Sequence, residues 1–367
     1  MPIDFDRRPM LVFWEVTRAC LLACRHCRAA AIAEPLPGEL THEEGLRLIE
    51  SLAEFGRPYP VLVLTGGDAL MRPDLVELAG YARALGLPVA IAPSVTPRLE
   101  PGRLLALRRV GVKVASVSLD GAGTATHDGL RGVEGHLEQT LDAIRLLHRL
   151  RFTVQVNTVV RPENLFELPE VAAIVAREGA AIWEVFFLIG VGRGRELVEL
   201  GPPENEAVCH FLYDASAYGF VVRTVEAPFF RRVAAWRAAG EPPPATELYE
   251  RLSGRLRELL GVPTTRPRAQ TKGTRDGKGI VFVAHDGDIY PSGFLPIPLG
   301  NVKEDSLVRV YRDSLLLQSI RAGRFRGRCR ACDYADVCGG SRARAYARSG
   351  DPLGEDPACS YQGDAVR

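Results

Sequence analysis

Leu11-Val12-Phe13-Trp14-Glu15-Val16-Thr17-Arg18-Ala19-Cys20-Leu21-Leu22-Ala23-Cys24-Arg25-His26-Cys27 passes from an apolar, strand-like run into three cysteines spaced C-x3-C-x2-C. Three thiolates on one short loop can hold three irons of a [4Fe–4S] cube and leave the fourth iron open. An iron with a free site can bind and reduce a small molecule, so the spacing points to chemistry rather than to folding alone. The placement agrees, because α/β barrels build active sites at the C-terminal ends of their strands. Zinc is the competing reading, with His26 as a fourth donor, but zinc takes four ligands in paired CxxC or Cys/His form, which a lone C-x3-C-x2-C fits poorly.

Around that loop the chain is ordinary. Its 367 residues are 46% hydrophobic and 25% charged, with net charge +1, a globular composition with no global field that argues for nucleic acid or a membrane. No stretch is long and apolar enough to span a bilayer, and Met1-Pro2-Ile3-Asp4-Phe5-Asp6 lacks the shape of a signal peptide. The expected location is the cytoplasm, where cysteines serve as metal ligands or catalytic groups more than as disulfides. Of the eight cysteines, three fall at 20–27 and four at 329–359, with Cys209 alone between them. Cys209, on a helix beside His210, reads as a small buried hydrophobe, and Trp14, Trp183 and Trp236 read as core. The arginines between Arg321 and Arg348 read as a solvated face.

From residue 11 to about 190, β-branched runs alternate with helical patterns. Strands are expected at 11–17, 60–65, 88–93, 113–119, 152–160 and 181–189, and helices over 41–55, 72–85, 137–150 and 168–177. Thr41 reads as an N-cap followed by first-turn acids. Such alternation predicts a parallel sheet with helical crossovers, and six units rather than eight predict an incomplete barrel. Farther on, the pattern predicts a helix over 204–218, a strand at 220–225, a helix over 245–260 and a polar loop over 266–279. A hairpin of 279–284 and 288–290 is expected to turn at Asp286-Gly287.

The cysteine loop, running on through Arg28-Ala29-Ala30, resembles that of the radical S-adenosylmethionine (SAM) superfamily. The resemblance implies that Cys20, Cys24 and Cys27 hold the cube, that SAM chelates the fourth iron, and that one electron splits SAM into methionine and a 5′-deoxyadenosyl radical. Thr65-Gly66-Gly67-Asp68 looks like the family's GGE motif with Asp for Glu, and glycines let a backbone approach a ligand closely. The regions Ser116-Val117-Ser118-Leu119-Asp120-Gly121 and His127-Asp128-Gly129-Leu130-Arg131-Gly132 are similar to the fourth-strand region of relatives with a C-terminal cluster domain. By resemblance, Gly66, Gly67, Asp68, Ser94, Ser118, Arg131 and Asn157 bind SAM, Arg131 as a guanidinium fork on the methionine carboxylate, with Thr96 also near adenosine. Asp120 and His127 read equally as substrate-side groups or turn residues.

Cys329, Cys332, Cys338 and Cys359 supply four more thiolates. Spacing alone allows zinc, and Val337-Cys338-Gly339-Gly340-Ser341 resembles the second half of a SPASM domain. Ser292 and Arg342 stand where that pattern has two further cysteines, so one auxiliary [4Fe–4S] cluster is expected, in a shortened, twitch-like domain. The whole is expected to be α/β, a partial (β/α)6 TIM-like barrel with a small C-terminal α+β iron–sulfur domain: barrel at 1–225, linker and helices at 226–278, auxiliary domain at 279–367. The wording of the motifs is similar to the haem-pathway branch, whose members decarboxylate or trim tetrapyrrole side chains. Neighbouring branches modify ribosomal peptides, and a non-catalytic metal-binding protein is the third reading. Expected partners are a small-molecule or peptide substrate and an electron donor such as ferredoxin or flavodoxin, with no nucleic acid and no membrane. Arg193, Arg195, Lys272 and Arg275 are candidate contacts to an anionic substrate.

Overall fold

A computed structural model describes residues 3–269 and 273–362; Lys272 lies outside them. In chain order the first elements are β1 (Leu11–Glu15), α1 (His42–Ala53), β2 (Val61–Thr65), α2 (Leu75–Ala84), β3 (Val89–Ile91), α3 (Pro101–Arg109) and β4 (Val114–Ser118). Then follow α4 (Thr124–Arg131), α5 (His136–Arg149), β5 (Thr153–Val160), α6 (Leu168–Arg177), β6 (Ile182–Phe187), α7 (Pro202–Ala215) and β7 (Val221–Val225). The rest comprises α8 (Phe230–Ala238), α9 (Glu247–Leu260), β8 (Ile280–Val283), β9 (Asp288–Tyr290), β10 (Gly300–Asn301), α10 (Leu307–Asp313), α11 (Leu315–Arg321) and α12 (Arg342–Ser349). The strands and helices expected over the first half are present, each within a few residues of its predicted ends.

The chain divides into two compact units, the first made of 1–117, 142–154 and 274–322, the second of 118–141, 155–273 and 323–367. In the first, the strand order is β10-β9-β8-β1-β2-β3-β4, and β1 pairs in parallel with both β2 and β8. Alternation buries Val12, Trp14, Leu62 and Leu64 under the crossover helices, as a half-buried strand requires. α1 starts at a reciprocal cap: the Thr41 hydroxyl accepts from Glu44 N, and the Glu44 carboxylate accepts from Thr41 N at 2.8 Å.

In the second unit β5, β6 and β7 run parallel. Fully buried Trp183 meets Phe220 edge-on at 6.0 Å and donates to Thr158 Oγ1 at 2.9 Å, which donates onward to the Leu119 carbonyl. The segment expected as linker and helices holds α8 and α9, both packed on α7. Asp214 of α7 ties them down, accepting from Arg237 at 2.7 Å and from the Tyr249 hydroxyl at 2.6 Å.

Residues 279–367 are shared between the two units. The hairpin β8–β9 forms as expected, but β8 also lies parallel to β1, with Leu11 opposite Ile280 and Trp14 opposite Val283, and this pairing draws 274–322 into the first unit. Among the described residues no helix is long and apolar enough to cross a membrane.

Candidate functional site

In the first unit the cysteine loop leaves the end of β1 and is clamped from three sides. Glu39 accepts from Thr17 Oγ1 at 3.0 Å, Arg18 N at 2.9 Å and Leu36 N at 3.2 Å. Cys20 N donates to the Ile32 carbonyl at 2.7 Å, and the Arg18 guanidinium donates to the Ala29 carbonyl. The third clamp is the end of β2: Gly67 N donates to Thr17 O at 2.8 Å and Asp68 N to Ala19 O at 2.7 Å. A Cβ on Gly66 would lie 2.6 Å from the Thr17 carbonyl, and one on Gly67 would lie 2.5 Å from the carbonyls of both Arg18 and Ala19. The two glycines thus seat the loop, backbone against backbone.

The thiol groups are held as metal-ready donors. Cys20 Sγ accepts from Leu22 N at 3.3 Å and lies 3.6 Å from Ser94 Oγ, and Cys27 Sγ accepts from Ala31 N at 3.5 Å. Burial raises the Cys20 thiol against the pull of those hydrogen bonds, so loading metal there must expel a proton. Asp68 is fully buried and accepts from Leu70 N, from Ser94 N at 3.2 Å and from Thr96 Oγ1 at 2.7 Å. Burial raises its carboxyl in spite of these three donors. Ser94 donates to the Gly67 carbonyl at 3.1 Å, so Gly67, Asp68, Ser94 and Thr96 form one network under the loop.

A further cluster here was not read from the sequence. Buried Glu15, the last residue of β1, bonds Arg28 through one oxygen and His285 through the other, each at 3.0 Å. Arg28 follows Cys27 directly, stacks 4.6 Å over Phe282 and donates to the Gly293 carbonyl. Burial alone would raise the Glu15 carboxyl; Arg28 and His285 outweigh it and hold it below its usual range. Arg275 is buried.

In the second unit, Ser118 is half-buried at the end of β4. Buried Asp120 accepts from the Arg131 guanidinium and from Val159 N at 2.8 Å. His127 accepts from Asp120 N at 3.0 Å and meets His136 at 2.9 Å. Burial drives the His127 imidazole down to about 4, so it is neutral at physiological pH and props the Asp120 turn. Asn157 of β5 accepts from Gln155 Nε2 at 2.8 Å. Arg193 is half-buried and Arg195 exposed, both in a 3-10 turn after β6.

Three of the four C-terminal cysteines show the same backbone donor pattern as the first loop. Cys332 Sγ accepts from Tyr334 N and Cys338 Sγ from Gly340 N, each at 3.4 Å, and the backbone N–H of Tyr361 lowers the Cys359 thiol. Arg342 lies 3.9 Å from Cys329 Sγ. Burial nonetheless pushes Cys338 up to about 12 and Cys359 to about 11. Cys209, fully buried, is raised well above its ordinary value by the same cause. Also unread in the sequence was Glu206, which bonds Arg232 at 2.5 Å and Ser360, next to Cys359, at 2.9 Å.

Thiols that receive backbone N–H donors, as Cys20, Cys27, Cys332, Cys338 and Cys359 do, fit an iron–sulfur cluster, whose potential is tuned through such bonds. Among the described residues no three His, Cys, Asp or Glu side chains gather as around a single metal ion; a cube needs less convergence, because each thiolate binds a different iron.

Comparison with known proteins agrees. Residues 14–175 match the family model of the radical SAM superfamily. The chain is 36% identical over 362 residues to the AdoMet-dependent heme synthase of Methanosarcina barkeri, covering 98% of this chain and 99% of that protein. It is 30% identical to the pre-heme d1 synthase of Dinoroseobacter shibae, over 95% of this chain and 85% of that one. Among solved structures, native anSMEcpe with bound AdoMet superposes with a TM-score of 0.66 at 14% identity, over 95% of this chain and 93% of that one, a likeness of fold that bears out the α/β expectation. On these matches the chain belongs to the radical SAM superfamily: it is an enzyme whose cofactors are a [4Fe–4S] cluster and S-adenosylmethionine.

Proposed function

We propose that this enzyme removes a carboxyl group from a side chain of a tetrapyrrole by SAM-dependent oxidative decarboxylation. One observation carries the reading: over nearly its whole length the chain is more than one-third identical to a protein named for heme synthesis, and the pre-heme d1 synthase matched at 30% is also named for a tetrapyrrole. When bound, the cluster and SAM supply a 5′-deoxyadenosyl radical that takes a hydrogen atom from the substrate. On a propionate, loss of hydrogen from the carbon β to the carboxylate lets the C–COO bond break. Carbon dioxide leaves, an alkene forms, and one electron must pass to an acceptor.

The chain's residues divide this work. Cys20, Cys24 and Cys27 would hold the cube and leave one iron for SAM, and the Leu22 and Ala31 N–H groups steady two of the thiolates. Gly66, Gly67, Asp68 and Ser94, with Ser118, Arg131 and Asn157, are assigned to SAM. Cys329, Cys332, Cys338 and Cys359 would hold an auxiliary cube with no open iron, suited to take up the leftover electron. A ferredoxin or flavodoxin would supply the first one. A cytoplasmic location belongs to the same proposal, since eight free cysteines suit a reducing compartment.

The test is anaerobic: reconstituted protein, dithionite, SAM and iron coproporphyrin III. The expected result is 5′-deoxyadenosine together with carbon dioxide and a side chain shortened to an alkene. Formation of 5′-deoxyadenosine without change to the porphyrin, and modification of a peptide instead, would move the assignment to the peptide-maturing branch.

A further inference from the structure

Beside the C-terminal cysteines the second unit buries a cation. Arg232 of α8 closes a two-pronged bond on Glu206 of α7, at 2.8 and 2.5 Å. Its side chain is buried, and a guanidinium taken out of water is costly unless it is paired. Glu206 accepts in addition from Ser360 Oγ at 2.9 Å.

Aromatic rings lie against the same guanidinium. Its central carbon is 4.3 Å from the centre of the Trp236 ring and 5.0 Å from that of Tyr361, the attraction of a cation for a ring face. Trp236, Tyr334 and Tyr361 meet one another edge to face, with centres 6.0, 5.7 and 5.4 Å apart, and the Trp236 indole donates to the Tyr334 hydroxyl. The carboxylate fork and the rings together fix where the charge sits.

The cysteine region supplies this cage. Tyr334 follows Cys332 by two residues and Tyr361 follows Cys359 by two, and the backbone N–H of each is turned on the sulfur before it. A charge fixed against those rings is therefore fixed relative to Cys332 and Cys359. Its field reaches both: burial raises the two thiols, and after the backbone N–H groups Arg232 is what pulls them back, on Cys359 ahead of the opposing push of Asp356 and Glu206. The positive member of the ion pair thus outweighs the negative one at the sulfur. Arg342, near Cys329, is a second buried cation in the region.

We propose that Arg232 sets the reduction potential of the auxiliary cluster, with Glu206 holding it in place and offsetting part of its charge. The inference rests on the reading in which these four cysteines hold a cube and take up the electron left by decarboxylation. Accepting that electron makes the site one charge more negative. A fixed cation in a medium of low dielectric favours the more negative state, so the potential is held up. Arg232 is a positioning and tuning residue and touches no reacting atom.

The test is a potentiometric titration of the full, anaerobically reconstituted chain, followed by electron paramagnetic resonance. The signal that SAM leaves unchanged reports the four-cysteine site. Arg232→Gln removes the cation and leaves the carboxylate. It is expected to make the reduced form about tenfold scarcer at a fixed potential, a midpoint lower by about 59 mV for one electron. Glu206→Gln leaves the cation without its counter-charge and is expected to raise the midpoint. Arg232→Lys keeps the charge without the fork and should lie closer to the wild type than Arg232→Gln does. Both glutamine variants break the same bond, so a mere brace would shift the midpoint in one direction, or not at all, in both. A midpoint that Arg232→Gln does not lower, or that Glu206→Gln does not raise, overturns the inference while the cluster assignment stands. Should Arg232→Gln hold no cube, Glu206→Gln decides alone, a higher midpoint supporting the tuning and an equal or lower one overturning it. A wild-type site that takes up zinc and no iron overturns both the tuning and the auxiliary cluster.

Discussion

The two cysteine regions use the same parts to different ends. In each, backbone N–H groups point at sulfur: Leu22 and Ala31 in the first, Tyr334 and Gly340 in the second. In each, the residue right after the last cysteine is tied to a buried or half-buried carboxylate on a distant element, Arg28 to Glu15 and Ser360 to Glu206. The difference lies in the count. The first loop offers three cysteines and no fourth, whereas the second region offers four and adds an arginine beside Cys329. A site that leaves one metal position open can do chemistry on a ligand from outside; a filled one is suited to passing electrons.

The largest effects should fall on the open site. Cys24→Ala is expected to bring 5′-deoxyadenosine formation down to the protein-free background. Cys332→Ala is expected to lower the iron count by about four per chain, one cube, while SAM is still cleaved without substrate. The measurement is product chromatography paired with iron analysis. Equal loss in both variants would erase the distinction between an open and a closed site.

Next come the carboxylates. Glu206 carries the stronger load: burial would raise it, but His210, Arg232 and Ser360 hold it down at about 2. Arg232 is only 2% exposed, so Glu206→Gln strands a buried cation, a change that costs about 3–5 kcal/mol. A lowered carboxyl stabilises the fold fully above its ordinary value of 4.5, and that share is lost as pH falls toward about 2. Thermal melts of the wild type should therefore decline through this window, and the variant should lack that part of the slope. Glu15→Gln should behave alike at the first loop, since Glu15 is lowered too. A flat wild-type profile would show that neither carboxylate braces its region.

Much of this was legible beforehand, for identifiable reasons. Alternating β-branched runs gave away β1 to β6, and cysteine spacing alone marked both thiol sets. The parallel pairing of β8 with β1 was hidden, because Leu11 and Ile280 are too far apart in sequence for any local pattern to link them. α3 was missed because its arginines mask a stripe of only two buried leucines, Leu104 and Leu107. Glu15 and Glu206 were missed because an acid in a strand or helix looks like surface charge until its distant partners are placed. Gly66 and Gly67 were noticed for ligand approach, and the structure shows their closest neighbour to be the cysteine loop itself.

That contact predicts a middle-sized effect. In Gly67→Ala the new methyl would lie 2.5 Å from two carbonyl oxygens of the loop, and backbone cannot swing aside as a side chain can. Overpacking of this kind costs about 1–3 kcal/mol. The expected outcome is a lower denaturation midpoint together with weakened SAM binding, read by chemical unfolding and equilibrium dialysis. Glycine-to-alanine at Gly254, where a Cβ meets nothing within 4 Å, is the control, with no loss expected in either. Loss of stability with SAM affinity intact would mean that the seating of the loop is not what prepares it for SAM.

The smallest effect is expected where a thiol is added back. Ser292 occupies a position at which the resembling domains carry cysteine; it is 5% exposed, and its hydroxyl accepts from Phe294 N at 3.2 Å. Arg342 occupies another such position and is anything but a gap. It is fully buried, donates to the carbonyls of Gly340, Pro352 and Gly354 at 3.2, 3.2 and 2.6 Å, and stacks 4.5 Å over Phe325. An arginine that satisfies three carbonyls has been built into the region as structure, so one restored thiol cannot assemble a second closed cube. Ser292→Cys should leave iron per chain and the cluster's electron paramagnetic resonance spectrum unchanged. A gain of about four irons would reveal a third site, and the contrast between one open and one closed region would have to be redrawn.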